Sequence, residues 1–145
     1  MRLPKPEPGL VIRYAYLWHG EFQRGREEGS KDRPCAIVLA AMGEGAETRI
    51  LVVPVTHRPP AEPSAAIEIT HAIKRHLGLD DQRSWVVLSE SNLFDWPGPD
   101  LRPIGERGKD SVAYGLLPPR FFTELRARFV RLESAAKSRR VLRTE

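Results

Sequence analysis

The chain has 145 residues, of which 41% are hydrophobic and 29% charged, and its formal net charge is +4. This length suits one globular domain, which can fold without a disulfide framework or a structural metal. The only cysteine, Cys35, excludes an intramolecular disulfide. Because we find no signal peptide and no apolar run long enough to span a membrane, we expect a reduced cytoplasmic protein.

The first third of the chain predicts an arm, a strand and a loop. Residues 1–8 are rich in proline and predict an extended N-terminal arm. Residues 9–18 alternate with period two and contain several aromatic residues, which is typical of a strand. Residues 19–33 carry many charges and three glycines and have little to bury, so they predict a long surface loop.

The middle of the chain predicts several short strands. Residues 35–41 and 50–55 are apolar runs that predict two core strands joined by a hairpin. Pro54 places the end of the second strand at a sheet edge or bulge, where a missing donor is tolerated. Further strands are predicted at residues 66–70 and 85–89.

Three smaller elements complete the middle of the chain. Thr70 caps a short helix over residues 71–77, which ends at Gly78. Residues 92–96 predict a single helical turn, and residues 112–115 a short strand.

The clearest helix lies over residues 118–135, where five apolar residues form one stripe, namely Phe121, Phe122, Leu125, Phe129 and Leu132. Residues 136–145 are basic and have no periodic pattern, which is typical of a disordered tail. We therefore predict a single domain over residues 9–135. Its fold class is mainly β with a C-terminal helix, as a small barrel of about five to seven strands.

The sequence gives little support for a metal site or for a catalytic nucleophile. His71 and His76 are five residues apart, so they do not share a helix face as ligands at positions i and i+4 would. Cys35 begins a core strand, where a thiol usually acts as a small apolar residue. We therefore predict no metal and no cofactor.

Acid–base chemistry with an arginine remains. Glu28, Arg33, Thr56 and Glu90 all lie at strand ends or in the loops beside them. A carboxylate can take a proton, a guanidinium matches phosphate in a bidentate fork, and a hydroxyl can position the phosphate. This set suits RNA cleavage in which the ribose 2′-hydroxyl is the nucleophile. The alternative is that Glu28 and Arg33 are ordinary surface charges.

The chain resembles the MazF/PemK family of toxins from type II toxin–antitoxin systems. The resemblance lies in Pro8-Gly-Leu-Val-Ile-Arg13, in Glu28 followed by Arg33-Pro34 and an apolar strand, and in Val52-Val-Pro-Val-Thr56. The segment Val86-Val-Leu-Ser-Glu-Ser-Asn-Leu-Phe-Asp-Trp96 and the helix from Pro118 follow in the same order.

This resemblance implies an SH3-like barrel of the type found in MazF and CcdB, acting as a growth-inhibiting, metal-independent and sequence-selective endoribonuclease. By position, Glu28, Arg33, Thr56 and Glu90 match the catalytic group. Lys31, His57 and Arg58 are the implied RNA-binding residues. Single-stranded RNA, a cognate antitoxin and a second copy of the chain in a homodimer are the implied partners.

Three positions depart from the family pattern. Glu27 replaces a histidine or serine, Lys31 replaces a glycine, and Leu88 stands where some members have an arginine. Two alternatives therefore stay open. One is a barrel that binds nucleic acid or a protein without cutting, and the other is a poison of a protein target, as in CcdB toxins.

Overall fold

The computed structural model describes residues 3–25, 31–42, 47–105 and 111–143. Within these ranges the chain forms eight strands: β1 (Leu10–Tyr14), β2 (Arg33–Met42), β3 (Thr48–Thr56), β4 (Ala66–Ile69), β5 (Ser84–Val87), β6 (Glu90–Trp96), β7 (Ala113–Leu116) and β8 (Arg139–Leu142). The α-helices in these ranges are α1 (His19–Gln23), α2 (His71–Leu77) and α3 (Pro119–Ser134). The predicted fold class, mainly β with a C-terminal helix, is confirmed, with eight strands where about five to seven were expected.

One curled sheet contains all eight strands. Its main order is β4-β5-β3-β2-β1-β7, and β6 pairs with β3 and with β8. The strand pairs are antiparallel except for β6 and β8, which run parallel. The long strands β2 and β3 form the predicted hairpin, in which Cys35 lies opposite Pro54.

Pro54 lies where β3 changes partner. β3 pairs with β6 as far as Val52 and with β5 from Val55 onward, so Pro54 falls between the two ladders. A proline has no N–H to donate, and this gap is therefore a position that tolerates it. The change of partner lets β3 bend and carry its last residues toward β5.

The sheet buries apolar residues on both faces. Ile12, Tyr14 and Tyr16 belong to one core cluster, whereas Val11 belongs to the other, as the period-two pattern predicts. Helix α3 covers the second cluster, in which Leu125 and Phe129 are buried. Burial of a side chain of this size contributes about 1.5–3 kcal/mol.

The short helix α2 begins and ends as predicted. The Thr70 hydroxyl accepts a hydrogen bond from the Ile73 backbone N–H at 3.2 Å, and Gly78 ends the helix with a φ of 71°. No helix in the described part of the chain is sufficiently long and apolar to span a bilayer.

Three segments differ from the predictions, each because a polar residue is satisfied inside the protein. Residues 19–23 form α1 instead of loop, since a Glu21 carboxylate oxygen accepts the Trp18 N–H at 3.2 Å. Residues 92–96 belong to strand β6 instead of a helical turn. The buried Asn92 side chain bonds both the N–H and the carbonyl of Leu17, at 2.9 and 2.8 Å.

The third difference corrects the prediction of a disordered tail. Residues 139–142 form β8, in which Val141 is fully buried. The following residue, Arg143, donates to the Asp100 carboxylate at 2.9 Å. A buried ion pair after an exposed basic run is not visible in the local sequence pattern.

Candidate functional site

A groove of about 1110 Å³ opens where the start of β2 meets the end of β3. One side is formed by residues 31–34 and 55–62, and the other by α1, the end of α2 and the start of β5. Five of the seven sequence-predicted site residues line this groove, namely Lys31, Arg33, Thr56, His57 and Arg58.

The hairpin register explains why Arg33 and Thr56 meet. Cys35 pairs with Pro54, and two residues further along each strand lie Arg33 and Thr56. Both side chains therefore lie at the same end of an antiparallel ladder. A strand end is rigid on one side and open on the other, so it can present a polar group to a ligand.

Arg33 is held firmly but keeps unused donors. Its Nη1 donates to the Val55 carbonyl at 3.3 Å, and its guanidinium carbon lies 4.8 Å from the Trp18 ring centroid. Its Nε is buried and has no hydrogen-bond partner within the described ranges. A guanidinium that is stacked and only partly bonded is prepared for an anionic ligand.

Thr56, Lys31 and Arg58 surround this guanidinium with further donors. The Thr56 hydroxyl oxygen accepts the Arg58 backbone N–H at 3.2 Å, which leaves its own proton available to donate. Lys31 and Arg58 are exposed and have no ion-pair partner among residues 3–25, 31–42, 47–105 and 111–143. A phosphate in the groove would therefore meet several hydrogen-bond donors, of which Lys31 and Arg58 are charged and the Thr56 hydroxyl is neutral.

The groove has both charge signs, and the carboxylates are partly neutralised from within the protein. Its basic residues are Arg24, Lys31, Arg33, Arg58 and Lys74, and its acidic residues are Glu21, Asp32, Glu62 and Asp80. Asp32 lies 3.7 Å from Arg13 and 3.4 Å from Arg102, and Asp80 bonds Lys74. Apart from Lys74, Asp80 and Asp32, the described lining has four basic residues and two acidic ones.

Three hydrogen-bonded side chains of the groove lining, His57, Asp80 and Lys74, form a chain. His57 Nε2 lies 2.8 Å from Asp80 Oδ2, and Lys74 Nζ donates to Asp80 Oδ1 at 2.5 Å. Burial raises the pKa of Asp80, but hydrogen bonds from Lys74, the Gln82 backbone and His57 outweigh it, and the pKa lies below its usual value. Asp80 is thus held as the carboxylate.

Sequence reasoning missed Asp80, Lys74 and Trp18 as parts of this site. Lys74 lies three residues before Leu77, so both share the buried face of α2. A lysine on the buried face of an amphipathic helix requires a partner, and this position was the available signal. Nothing in the local sequence around Trp18 indicates that it stacks on Arg33.

Glu90 does not line the groove. Its Oε1 accepts the His19 backbone N–H at 2.8 Å and the Tyr16 hydroxyl at 3.1 Å. Burial raises the pKa of Glu90, and these two hydrogen bonds only partly offset that effect. The Tyr16 ring lies 5.2 Å from Trp18, which contacts Arg33, so the two aromatic rings connect Glu90 to the groove.

Two further positions named from the sequence, Glu28 and Leu88, have different outcomes. Glu28 belongs to residues 26–30, which are outside the described residues. Leu88 is fully buried in the core, and its backbone N–H bonds the Ala65 carbonyl at 2.8 Å. Its position is therefore that of a core residue, with its neighbour Ser89 at the groove.

Cys35 and the histidines of α2 take no part in the groove. Burial raises the pKa of the Cys35 thiol, although the charges of Arg33 and Arg143 oppose this, so the thiol stays protonated at neutral pH. His71 and His76 are exposed on α2. Among the described residues, no three His, Cys, Asp or Glu side chains are grouped as metal ligands.

Comparison with protein-family models and with curated proteins gives no match for this chain. The resemblance to MazF/PemK toxins therefore depends on the residues of the chain alone. Chemically, the groove offers a stacked guanidinium at Arg33 and an imidazole bonded to a carboxylate at His57.

Proposed function

We propose that this protein is a growth-inhibiting toxin of a type II toxin–antitoxin system, similar to MazF and PemK, and a metal-independent endoribonuclease that cuts single-stranded RNA. The observation that carries the proposal is the state of Arg33. Its guanidinium is half-buried in the groove, stacks on Trp18 and has one hydrogen bond within the described residues, to the Val55 carbonyl. A phosphodiester oxygen is a ligand that such a guanidinium fits.

The residues around Arg33 have distinct proposed roles. Arg33 stabilises the charge that develops on the pentacovalent phosphate. The Thr56 hydroxyl positions the phosphate, and Lys31 and Arg58 hold neighbouring phosphates of the strand. Glu28, which is assigned by the sequence resemblance alone, takes the proton from the 2′-hydroxyl.

Glu90 acts as a positioning residue in this proposal. Its carboxylate holds the Tyr16 hydroxyl at 3.1 Å, and Tyr16 packs edge-on against Trp18. Trp18 in turn supports the guanidinium of Arg33. Glu90 thus orients the arginine through the aromatic pair.

The partners follow from the same resemblance. We propose a homodimer in the cytoplasm, whose RNA path is blocked when an antitoxin protein binds. The net charge of +4 supports association with a polyanion such as RNA and with an acidic antitoxin segment.

Cleavage of a mixed-sequence single-stranded RNA in the presence of EDTA tests the proposal. We expect wild-type protein to cut the RNA and Arg33→Ala to leave it intact. Arg83→Ala is the matched control, because Arg83 also stacks on a tryptophan, with 5.0 Å to the Trp85 ring, but does not line the groove. The control should cut as wild type does.

One alternative outcome has support in the structure. Glu90 accepts its two hydrogen bonds from Tyr16 and His19 and does not line the groove. This position fits a barrel that binds RNA without cutting it, because such a protein needs no carboxylate at the phosphate. Such a protein would bind RNA in a salt-dependent manner and leave it intact. Intact RNA with the wild-type protein therefore contradicts the nuclease proposal.

A further inference from the structure

His57 lines the groove next to Thr56. It follows Thr56 directly at the end of β3, and half of its side-chain surface is exposed. Its Nε2 bonds Asp80 at 2.8 Å. Its other nitrogen, Nδ1, has no hydrogen-bond partner within the described ranges of the chain.

Asp80 fixes which nitrogen faces the chemistry. A carboxylate accepts a hydrogen bond, so His57 must carry its proton on Nε2 toward Asp80. Nδ1 is then the ring nitrogen that remains for a ligand. This is the arrangement in which a carboxylate selects the tautomer and orientation of a catalytic imidazole.

Lys74 keeps Asp80 in place. The lysine is 3% exposed, and its ammonium donates to Asp80 Oδ1, to Ser84 Oγ at 2.6 Å and to the Gln82 carbonyl. These three bonds use all three of its protons, so Lys74 has none left for a ligand. Its role is to hold the carboxylate that holds His57.

The proposed nuclease needs such a donor, because the 5′-oxygen of the departing nucleoside is a poor leaving group unless it receives a proton. A guanidinium is not deprotonated in proteins, so an arginine of the groove cannot supply this proton. Imidazole is the side chain that both gains and loses a proton in this range. Among the histidines of the chain, His57 is the one that lines the groove.

We propose that His57 is the general acid of the cleavage reaction, oriented by Asp80 and Lys74; this rests on the proposed function. The 2′-oxygen forms a bond to phosphorus and the bond from phosphorus to the 5′-oxygen breaks. The imidazolium of His57 gives its Nδ1 proton to the 5′-oxygen. The proton of the 2′-hydroxyl goes to the base, for which the sequence offers Glu28, and the products are a 2′,3′-cyclic phosphate and a 5′-hydroxyl.

A pair of RNA substrates tests this role. One has the natural linkage at the mapped cut site, and the other has sulfur in place of the bridging 5′-oxygen, which leaves as a thiolate without needing a proton. We expect His57→Ala to slow cleavage of the natural RNA by about 100-fold or more, and cleavage of the sulfur-containing RNA by less than about 10-fold. His76→Ala, an exposed histidine outside the groove, should change neither rate.

The outcomes separate this inference from the proposed function. If wild-type protein cuts neither RNA, the nuclease proposal fails, and the role of His57 fails with it. If wild-type protein cuts and His57→Ala slows both substrates equally, or neither, the nuclease proposal stands and His57 is not the acid. Thermal unfolding of each variant establishes that it is folded in the assay.

Asp80→Asn tests the positioning role. Asparagine keeps the size of the side chain but removes the charge that faces the imidazole. We expect a loss of about 10-fold on the natural RNA and a smaller loss on the sulfur-containing RNA. Equal losses on the two substrates would contradict a role through His57.

Discussion

Two arginines in this protein have opposite surroundings. Arg143, at the end of β8, has a side chain that is only 2% exposed. It donates to Asp100 at 2.9 Å, to the Ala15 carbonyl at 2.8 Å, to Asn92 at 3.1 Å and to the Tyr14 hydroxyl at 3.3 Å. Arg33, in the groove, has one hydrogen bond at 3.3 Å within the described residues and keeps a buried Nε without a partner there.

The contrast separates a structural arginine from one that is available for a ligand. The network around Arg143 joins β8 to β1 and β6, and its donors are consumed inside the protein. Arg33 stacks on Trp18. Stacking fixes the guanidinium without using its N–H donors. Substitutions in the two regions should therefore affect different measurements, stability in the first and RNA cleavage in the second.

The largest effect on stability is expected for Arg143→Met. The substitution leaves the Asp100 carboxylate, which is 12% exposed, without its close counter-charge and removes three other hydrogen bonds. We expect the free energy of unfolding to fall by about 3–5 kcal/mol. Urea unfolding measures it, with Arg139→Met, an exposed arginine of the preceding strand β8, as a control that should change by less than about 0.5 kcal/mol.

Asp80→Asn should have an intermediate effect that depends on pH. The buried Lys74 loses its anionic partner, and we expect a loss of about 2 kcal/mol at pH 7. Because the pKa of Asp80 is lowered in the folded protein, its contribution is present above the ordinary value of 3.8 and is lost as the pH falls through the folded value. A difference between variant and wild type that grows on acidification would contradict this assignment.

Arg33→Ala should change stability by only about 1 kcal/mol. It removes one long hydrogen bond and one stacking contact, both at the groove. Thermal and urea unfolding on the same samples as Arg143→Met provide the comparison. A loss as large as that of Arg143→Met would mean that Arg33 is a structural residue.

Glu90→Gln should have the smallest effect and the opposite pH dependence to Asp80→Asn. The glutamine oxygen can still accept from His19 and Tyr16. Because burial raises the pKa of Glu90, the stability it contributes is complete below the ordinary value of 4.5 and declines as the pH rises through the folded value. The variant should therefore gain stability relative to wild type above pH 4.5.

Glu68 provides a control carboxylate for the Glu90 test, because its pKa is shifted in the opposite direction. Hydrogen bonding and charge from Arg83 lower the pKa of the exposed Glu68, despite a small opposing effect of burial. Glu68→Gln should therefore lose stability relative to wild type above pH 4.5, while Glu90→Gln gains it. Unfolding midpoints between pH 4 and pH 8 that move together in the two variants would contradict the difference in environment.

Local patterns predicted most of the fold because apolar periodicity and caps act over a few residues. The α3 stripe, the Thr70 cap and the hairpin of β2 and β3 are of this kind. Strands β6 and β8 were missed because Asn92 and Arg143 are satisfied by partners 43 to 129 residues away in the chain. Long-range satisfaction of a polar residue leaves no local signal.

The candidate site was likewise predictable only where it depends on local patterns. Arg33 and Thr56 share a hairpin, so their meeting follows from a register that the two apolar runs and Pro54 indicate. The pairing of His57 with Asp80 joins β3 to the segment after α2, and only the fold brings these together. Glu90 lies behind Tyr16 because strand β6 turns that carboxylate toward β1, and this depends on the missed strand.

End-group analysis of RNA treated with the protein in EDTA tests the central proposal most directly. We expect wild-type protein to leave 2′,3′-cyclic phosphate and 5′-hydroxyl ends, since the 2′-hydroxyl is the nucleophile. Arg33→Ala, which should remain folded, is expected to leave none. Intact RNA with wild-type protein, or cleavage that persists unchanged in Arg33→Ala, would contradict the assignment of this groove as a ribonuclease site.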